Sequence, residues 1–192
     1  MNPVTHLLVS WTTADLAKLQ PRDRALVTWC GVTPDLDALG LALELGYAAL
    51  DRGGTKFYHT YHHFLTHGLP AAVLLPALFC LFGKQKLRVF LIGVLVFHLH
   101  LLCDLAGSRG PSPTDLWPIY FLAPLSRHPM FVWTDQWRLD GWQNFLITVS
   151  LMGFVGWRAV TQGCSPLSLI SRRADQAVVG VLRRWTRRTG RG

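Results

Sequence analysis

Charged residues are scarce in this chain. Asp, Glu, Lys and Arg make up 16% of its 192 residues, whereas soluble globular domains contain about 25%. Half of the residues are hydrophobic, the mean hydropathy is +0.25, and eight residues are Trp, a side chain that favours membrane–water interfaces. The composition therefore predicts a small integral membrane protein with polar parts.

Cysteine pairs and targeting segments are also missing from the sequence. The four cysteines are scattered without a Cys-x-x-Cys pair, and three lie in apolar stretches, which indicates buried thiols rather than disulfides or a thiolate metal site. The N-terminus has no basic segment followed by an apolar core, so we expect no cleavable signal peptide. No repeat or low-complexity linker is present, which favours one domain over residues 1–163 followed by a tail over residues 164–192.

Three apolar stretches are the predicted membrane spans, at residues 69–82, 87–104 and 145–160. Two of them are shorter than the roughly 20 residues that a span needs, so buried helices of a soluble protein are the alternative. Shorter helices are expected in the first 50 residues. The predicted fold is all-α: an integral membrane helical bundle with about three spanning helices, shorter N-terminal helices and a basic amphipathic C-terminal helix.

Basic residues determine the predicted orientation. Lys84, Lys86 and Arg88 lie between the first two apolar stretches, and seven arginines lie in the C-terminal tail. Because Lys and Arg are enriched on the cytoplasmic side of a membrane, we expect both segments there. The first stretch then runs inward, the second outward and the third inward, which leaves the C-terminus in the cytoplasm.

The tail itself has an amphipathic pattern. Its apolar residues recur at helical spacing, with the arginines mainly on the other side: Leu167, Ile170, Ala174, Val178, Val181 and Trp185. This pattern predicts a basic helix on the inner leaflet, with membrane lipid as the partner and no specific nucleic acid. A solvated helix packed against the protein is the alternative.

Two ionisable residues lie where a membrane-like helix should have neither. His100 and Asp104 are four positions apart inside the second apolar stretch, so they share one helix face. Ionisable groups in an apolar span are costly and usually mark function, and imidazole with carboxylate suits a metal such as zinc. The predicted topology brings this pair to the membrane face at which His62 and His67 precede the first stretch. We therefore expect the four side chains to converge.

Short motifs in roughly the first 120 residues carry a resemblance to a known family. They are an early Thr-His, a Pro-Asp-x-Asp, a histidine-containing segment that ends in Thr-His, a His-x-x-x-Asp and a Gly-rich turn before Trp-Pro. In this sequence they are Thr5–His6, Pro34–Asp37, His62–His67, His100–Asp104, Gly107, Gly110, Trp117 and Pro118. Their order and spacing resemble the predicted membrane-bound metal-dependent hydrolases of bacterial inner membranes. His63 and Phe64 depart from that pattern, which usually has Arg and Gly there.

The resemblance implies a ligand set and a reaction. The implied metal ligands are His6, Asp35, His62, His67, His100 and Asp104, and the implied catalytic residues are Asp37 and Asp104. The cofactor would be a divalent metal, zinc by ligand type, as one or two ions. The ligand set is also distantly similar to that of zinc-dependent phospholipase C. The substrate would be a phosphoester, because two-metal sites suit phosphoester cleavage, and location at the membrane interface makes a lipid head group one option. The chain would be a multi-pass protein of the bacterial inner membrane.

Several alternatives stay open from the sequence. Asp37 could orient a ligand histidine or act as a general base, and Arg109 could bind a phosphate or be an ordinary interfacial arginine. Helical periodicity favours His63 with His67, and also His59, over the family spacing of His62 with His67. A non-catalytic protein that binds metal or haem, or an interaction protein that acts through its basic tail, are the rival functions.

Overall fold

Helices build most of the protein in the computed structural model, which describes residues 1–50, 61–62 and 64–189. The predicted all-α membrane fold is confirmed. The α-helices are α1 (Pro3–Leu16), α2 (Pro21–Val32), α3 (Leu39–Ala49), α4 (Leu69–Leu81), α5 (Lys86–Gly107), α6 (Trp142–Gln162) and α7 (Arg172–Thr189), and two 3-10 helices span Thr33–Ala38 and Pro166–Leu169. The strands β1 (Ile119–Tyr120) and β2 (Met130–Phe131) pair antiparallel in the segment between α5 and α6.

Local sequence signals explain where the helices begin and end. The Asn2 side chain accepts a hydrogen bond from the Thr5 amide at 2.9 Å and caps α1, while prolines occupy the first positions of α1 and α2. At the other end of the chain, α6 stops at Gly163, whose φ of 75° is left-handed and suits glycine.

The helices run between two opposite ends of a bundle, which we name the His/Asp end and the ion-pair end. At the His/Asp end, the first turns of α1, α4 and α6 lie beside the last turns of α2 and α5. The ion-pair end holds the opposite termini of these helices. Apolar side chains fill the space between the two ends, mainly where α1, α2 and α5 meet and where α1 packs on α6.

Two buried aspartates hold the ion-pair end together. Asp15 of α1 accepts from Arg24 Nη1 of α2 at 2.8 Å and from Arg158 Nε of α6 at 2.6 Å. Asp23 accepts from the backbone amides of Lys84 and Gln85 at 2.8 and 3.0 Å, which fixes the turn between α4 and α5. Since buried carboxylates need such partners, these contacts set how the five helices align.

Three helical segments are long and apolar enough to span a membrane: Pro21–Ala49, Lys86–Gly107 and Trp142–Gln162. The predicted number of about three is confirmed, and the last two contain the predicted stretches 87–104 and 145–160. The predicted stretch 69–82 is not among these three. It forms the 13-residue helix α4, about 20 Å long against a hydrocarbon core of about 30 Å. The third long segment is instead the run of α2, the first 3-10 helix and α3.

The outer surface of the bundle is apolar, as contact with lipid requires. On α5 the exposed side chains include Leu87, Leu91, Leu95 and Leu102, and on α6 they include Phe145, Leu146, Val149 and Met152. Extended apolar surface of this kind is rare on soluble monomers. The exposed faces therefore agree with the long helices in indicating a membrane protein.

We expect Asp15→Asn to destabilise the protein strongly. The substitution leaves the Arg24 and Arg158 guanidinium groups, both largely buried, without their carboxylate, which costs about 3 kcal/mol or more for a buried pair. The measurement is denaturant-induced loss of helical circular dichroism in detergent. The control is Asp140→Asn, whose partner Arg138 is 49% exposed; it should change stability little, and equal losses for both variants would contradict the role of Asp15.

Candidate metal centre

Histidine and aspartate side chains from three helical segments and one loop meet at the His/Asp end. The first turn of α1 supplies His6, the first 3-10 helix supplies Asp35, and the loop just before α4 supplies His67. His100 and Asp104 come from one face of α5, as their spacing predicted. We name these five residues the His/Asp cluster; four are fully buried, and Asp35 is 12% exposed.

Asp104 is the centre of this cluster. Its Oδ1 lies 3.1 Å from His6 Nε2, and its Oδ2 lies 3.1 Å from His100 Nε2. The His100 Nε2 atom is also 3.7 Å from Asp35 Oδ1. One ligand atom from each of these four residues lies within 4.8 Å of every other, so together they could hold a metal ion.

His67 joins the cluster directly, whereas His62 reaches it through Asp37. The Nε2 atoms of His67 and His100 are 3.2 Å apart, and His67 Nε2 is 3.6 Å from Asp104 Oδ2. His62 Nδ1 is instead 2.6 Å from Asp37 Oδ1, and its ring packs edge-on against Trp117. The predicted convergence of the His62–His67 segment with His100 and Asp104 is therefore present in the structure.

The hydrogen bonds of two histidines direct their lone pairs at each other. A carbonyl oxygen only accepts, so His100 Nδ1 carries the proton that it donates to Gly31 O at 2.9 Å. His67 Nδ1 likewise donates to the Asp37 carboxylate at 3.1 Å. In the neutral rings both Nε2 atoms then carry lone pairs, which face each other beside Asp104. Such a pair repels unless a cation lies close to both nitrogens.

Other polar atoms of the cluster are buried without partners. His6 Nδ1 and Asp35 Oδ2 have no hydrogen-bond partner among the residues that the structure describes. Leaving such atoms unsatisfied costs free energy. Imidazole nitrogens and carboxylate oxygens are also the donor types that zinc and related divalent metals take. The donor set and its unsatisfied atoms thus fit a divalent metal ion.

Asp37 acts on the cluster through the histidines. Its two carboxylate oxygens accept from His62 and His67, and the Thr66 hydroxyl lies 3.0 Å from Asp37 Oδ2 and 2.7 Å from Pro34 O. Carboxylates that accept from the outer nitrogen of a ligand histidine fix its ring and raise its basicity. Of the two roles predicted for Asp37, this geometry corresponds to orienting a ligand histidine.

The supporting contacts include groups that sequence reasoning missed. The Ser108 hydroxyl donates to Asp104 Oδ1 at 2.9 Å, and the Met1 amino group pairs with the same oxygen. Ser108 follows Asp104 by one helical turn, a spacing that could have indicated the contact. The Gly31 carbonyl carries no side-chain signal. Gly31 is itself required by close packing, because a Cβ there would overlap the Ser10 hydroxyl of α1.

The segment between α5 and α6 (residues 108–141), which we name the cap, covers the cluster. Gln136 attaches this cap to α5. The buried Gln136 amide nitrogen lies 3.0 Å from both the Asp104 and Leu105 carbonyls, and its Oε1 accepts from the Trp117 amide at 2.9 Å. These bonds satisfy carbonyls at the end of α5 that have no helical partner. The cap is thereby attached directly to the helix that carries the two central ligands.

Arg109 lies in this cap. Its Nε donates to Gln136 O at 2.8 Å and its Nη1 to Ser112 O at 3.2 Å. None of its hydrogen bonds within the described part of the chain goes to the His/Asp cluster. Phosphate binding by Arg109 stays a prediction. The two rival histidines, His59 and His63, lie outside the described residues.

Comparison with known proteins places the chain among membrane proteins. A family model described as YdjM inner membrane protein matches residues 1–172. The matched region contains the whole His/Asp cluster and stops at the first residue of α7. No curated protein and no solved structure matches the chain. The domain boundary at residue 163 stays a prediction.

We expect Gln136→Leu to release the cap from α5. The variant leaves several buried carbonyls without a donor, at about 1–3 kcal/mol each, so local opening becomes at least about tenfold more frequent. Limited trypsin digestion in detergent should then cleave within residues 109–138 at least about tenfold faster. Thr114→Val, which alters an exposed hydrogen bond of the same cap, should leave the rate near that of the unmodified protein. Unchanged cleavage of Gln136→Leu would exclude this fastening role.

Proposed function

Because the chain belongs to the YdjM inner membrane protein family and carries a buried His/Asp cluster, we propose that it is a membrane-bound, metal-dependent hydrolase. The observation that carries the proposal is the pair of Nε2 atoms of His67 and His100, which face each other 3.2 Å apart beside Asp104. A shared proton would relieve that one contact. It would leave His6 Nδ1 and Asp35 Oδ2 unsatisfied.

The ligands would come from the cluster and its neighbour. His6, His67 and His100 offer imidazole nitrogens, and Asp35 and Asp104 offer carboxylate oxygens. This set exceeds the three or four protein ligands of a single catalytic zinc, so it has enough donors for a two-metal site. His62, oriented by Asp37, is the proposed sixth ligand through its Nε2.

A divalent metal bound there would supply Lewis acidity and an activated water at neutral pH. The protein contributes orientation and proton handling. Asp37 is a positioning residue, since both of its oxygens accept from histidines. Asp35 is the better candidate for taking a proton, because its Oδ2 has no partner among the described residues and it is the most exposed member of the cluster.

A phosphoester is the proposed substrate class. Carboxylates dominate the charge of the cluster, so an anionic substrate can approach it only when metal cations compensate that charge. Sites with several such ligands suit in-line displacement at phosphorus. The cluster also lies in the last turns of α5, a helix long enough to span a membrane, which would place it near the depth of lipid head groups.

Metal analysis of the purified protein tests whether the His/Asp cluster binds metal. The unmodified protein, loaded with zinc or manganese and freed of loosely bound ions, should retain about one or two ions per chain. His100→Ala and Asp104→Ala should lose them. His98→Ala is the matched control, because His98 lies on the same helix with its Nδ1 directed at Val94 O; it should keep the metal.

Absence of stoichiometric metal from the loaded protein would refute the proposal. Metal retained without hydrolysis of any phosphoester would favour the non-catalytic alternative. A visible absorption band in the purified protein would instead indicate haem ligation by histidines.

Asp37→Asn separates positioning from ligation. Removing a carboxylate that orients ligand histidines lowers metal affinity by about 10–100-fold. Hydrolysis of bis(p-nitrophenyl) phosphate and of phosphatidylglycerol vesicles should fall at low metal concentration and recover with excess metal. The His100→Ala variant should not recover. If excess metal fails to rescue Asp37→Asn, Asp37 takes part in the reaction itself.

A further inference from the structure

The C-terminal helix α7 is fixed against the ion-pair end of the bundle. Asp175 accepts from the Ser165 amide at 2.8 Å and from the Ser165 hydroxyl at 2.6 Å. Farther along, Arg183 Nε donates to Val160 O at 2.8 Å, a carbonyl in the last turn of α6. The hydrogen bonds of Asp175 are buried, and that of Arg183 is exposed. Together they determine which side of α7 faces the protein.

The remaining surface of α7 has two flanks of opposite character. At 100° per residue, Asp175 and Val179 form the docked side, where both are buried. One flank is apolar and consists of Val178, Val181 and Trp185, which are 39%, 55% and 67% exposed. The other flank is basic and contains the exposed arginines Arg172, Arg173, Arg183, Arg184 and Arg187.

We propose that α7 lies in the interface of a membrane leaflet rich in anionic lipid. Its apolar flank would enter the acyl boundary, and its arginines would contact the phosphate groups. Two observations favour this occupant. The basic flank complements anionic head groups in charge, and α7 contacts the last turn of α6, a helix whose exposed side chains, such as Trp157, are apolar.

Binding of a nucleic acid or an acidic protein would explain the basic flank of α7 but not its apolar flank. Either partner would use the arginines, whereas the exposed Trp185 and Val181 would gain nothing from a purely ionic contact. An interfacial helix uses both flanks together. The structure thus favours the membrane over a soluble polyanion.

The placement of α7 also gives the bundle an orientation. Lys84, Lys86 and Arg88 lie at the same end of the bundle as α7, so this end faces the leaflet where basic residues concentrate, the cytoplasmic one. The His/Asp cluster lies toward the other end of α6, about 20 Å away by helix rise. The cluster would then open toward the outer face, whether or not it is catalytic.

Fluorescence quenching by brominated lipids tests the placement of α7 in the full-length protein. The Trp185 signal is the difference between the unmodified protein and Trp185→Phe. In nanodiscs that contain phosphatidylglycerol brominated on its acyl chains, this signal should fall at least about twofold relative to unbrominated discs, because Trp185 would lie at the acyl boundary. In nanodiscs of phosphatidylcholine brominated in the same way, quenching of the Trp185 signal should be weaker than with phosphatidylglycerol.

Two substitutions that each add one negative charge distinguish the apolar flank of α7 from its basic flank. Val181→Glu lies on the apolar flank and should abolish the quenching of Trp185. Gln176→Glu lies on the basic flank, is exposed, and should leave most of the quenching intact. Equal effects of the two variants, or a Trp185 that brominated lipid does not quench, would overturn the proposal. Quenching lost on adding an oligonucleotide would also overturn it, in favour of a nucleic acid partner.

Discussion

The hydrogen bond from His100 Nδ1 to the Gly31 carbonyl is the contact on which the polar end of this bundle depends. It joins the last turns of α2 and α5, and it fixes the ring so that Nε2 points at His67, Asp35 and Asp104. At the same residue α1 passes close to α2, because a Cβ on Gly31 would overlap the Ser10 hydroxyl. Gly31 therefore affects both the packing of three helices and the direction of a lone pair.

The two ends of the bundle handle buried charge in different ways. At the ion-pair end, Asp15 has two arginines and Asp23 has two backbone amides, so each carboxylate is satisfied by the protein. At the His/Asp end, the protein offers too few hydrogen-bond donors for the buried acceptors. Asp35 Oδ2 has no hydrogen-bond partner among the described residues. Buried polar groups that stay unsatisfied are candidate sites for a bound ion or water.

Connectivity and periodicity predicted much of this arrangement. The four-residue spacing of His100 and Asp104 placed them on one face, and the alternation of helices brought the His62–His67 segment to the same end. The stretch 69–82 forms a helix of only 13 residues, as its length in the sequence already indicated, whereas hydropathy did not show that Pro21–Ala49 is the third long helical segment. The role of Gln136 could not be predicted, since it depends on how a long irregular segment folds back on α5. Likewise, spacing alone does not show that one carboxylate, Asp37, orients two histidines.

The position of the acidic residues explains how a membrane helix bundle tolerates them. Asp15 and Asp23 lie at one end of the bundle, and Asp35, Asp37 and Asp104 lie at the other. The middle of the bundle is formed by side chains such as those of Val27 and Val96. Charges near the membrane surface cost less than charges at its centre. The same location puts the Asp35 oxygen that lacks a partner among the described residues at one end of the bundle rather than in its apolar middle, so stability and access for an ion favour the same position for the His/Asp cluster.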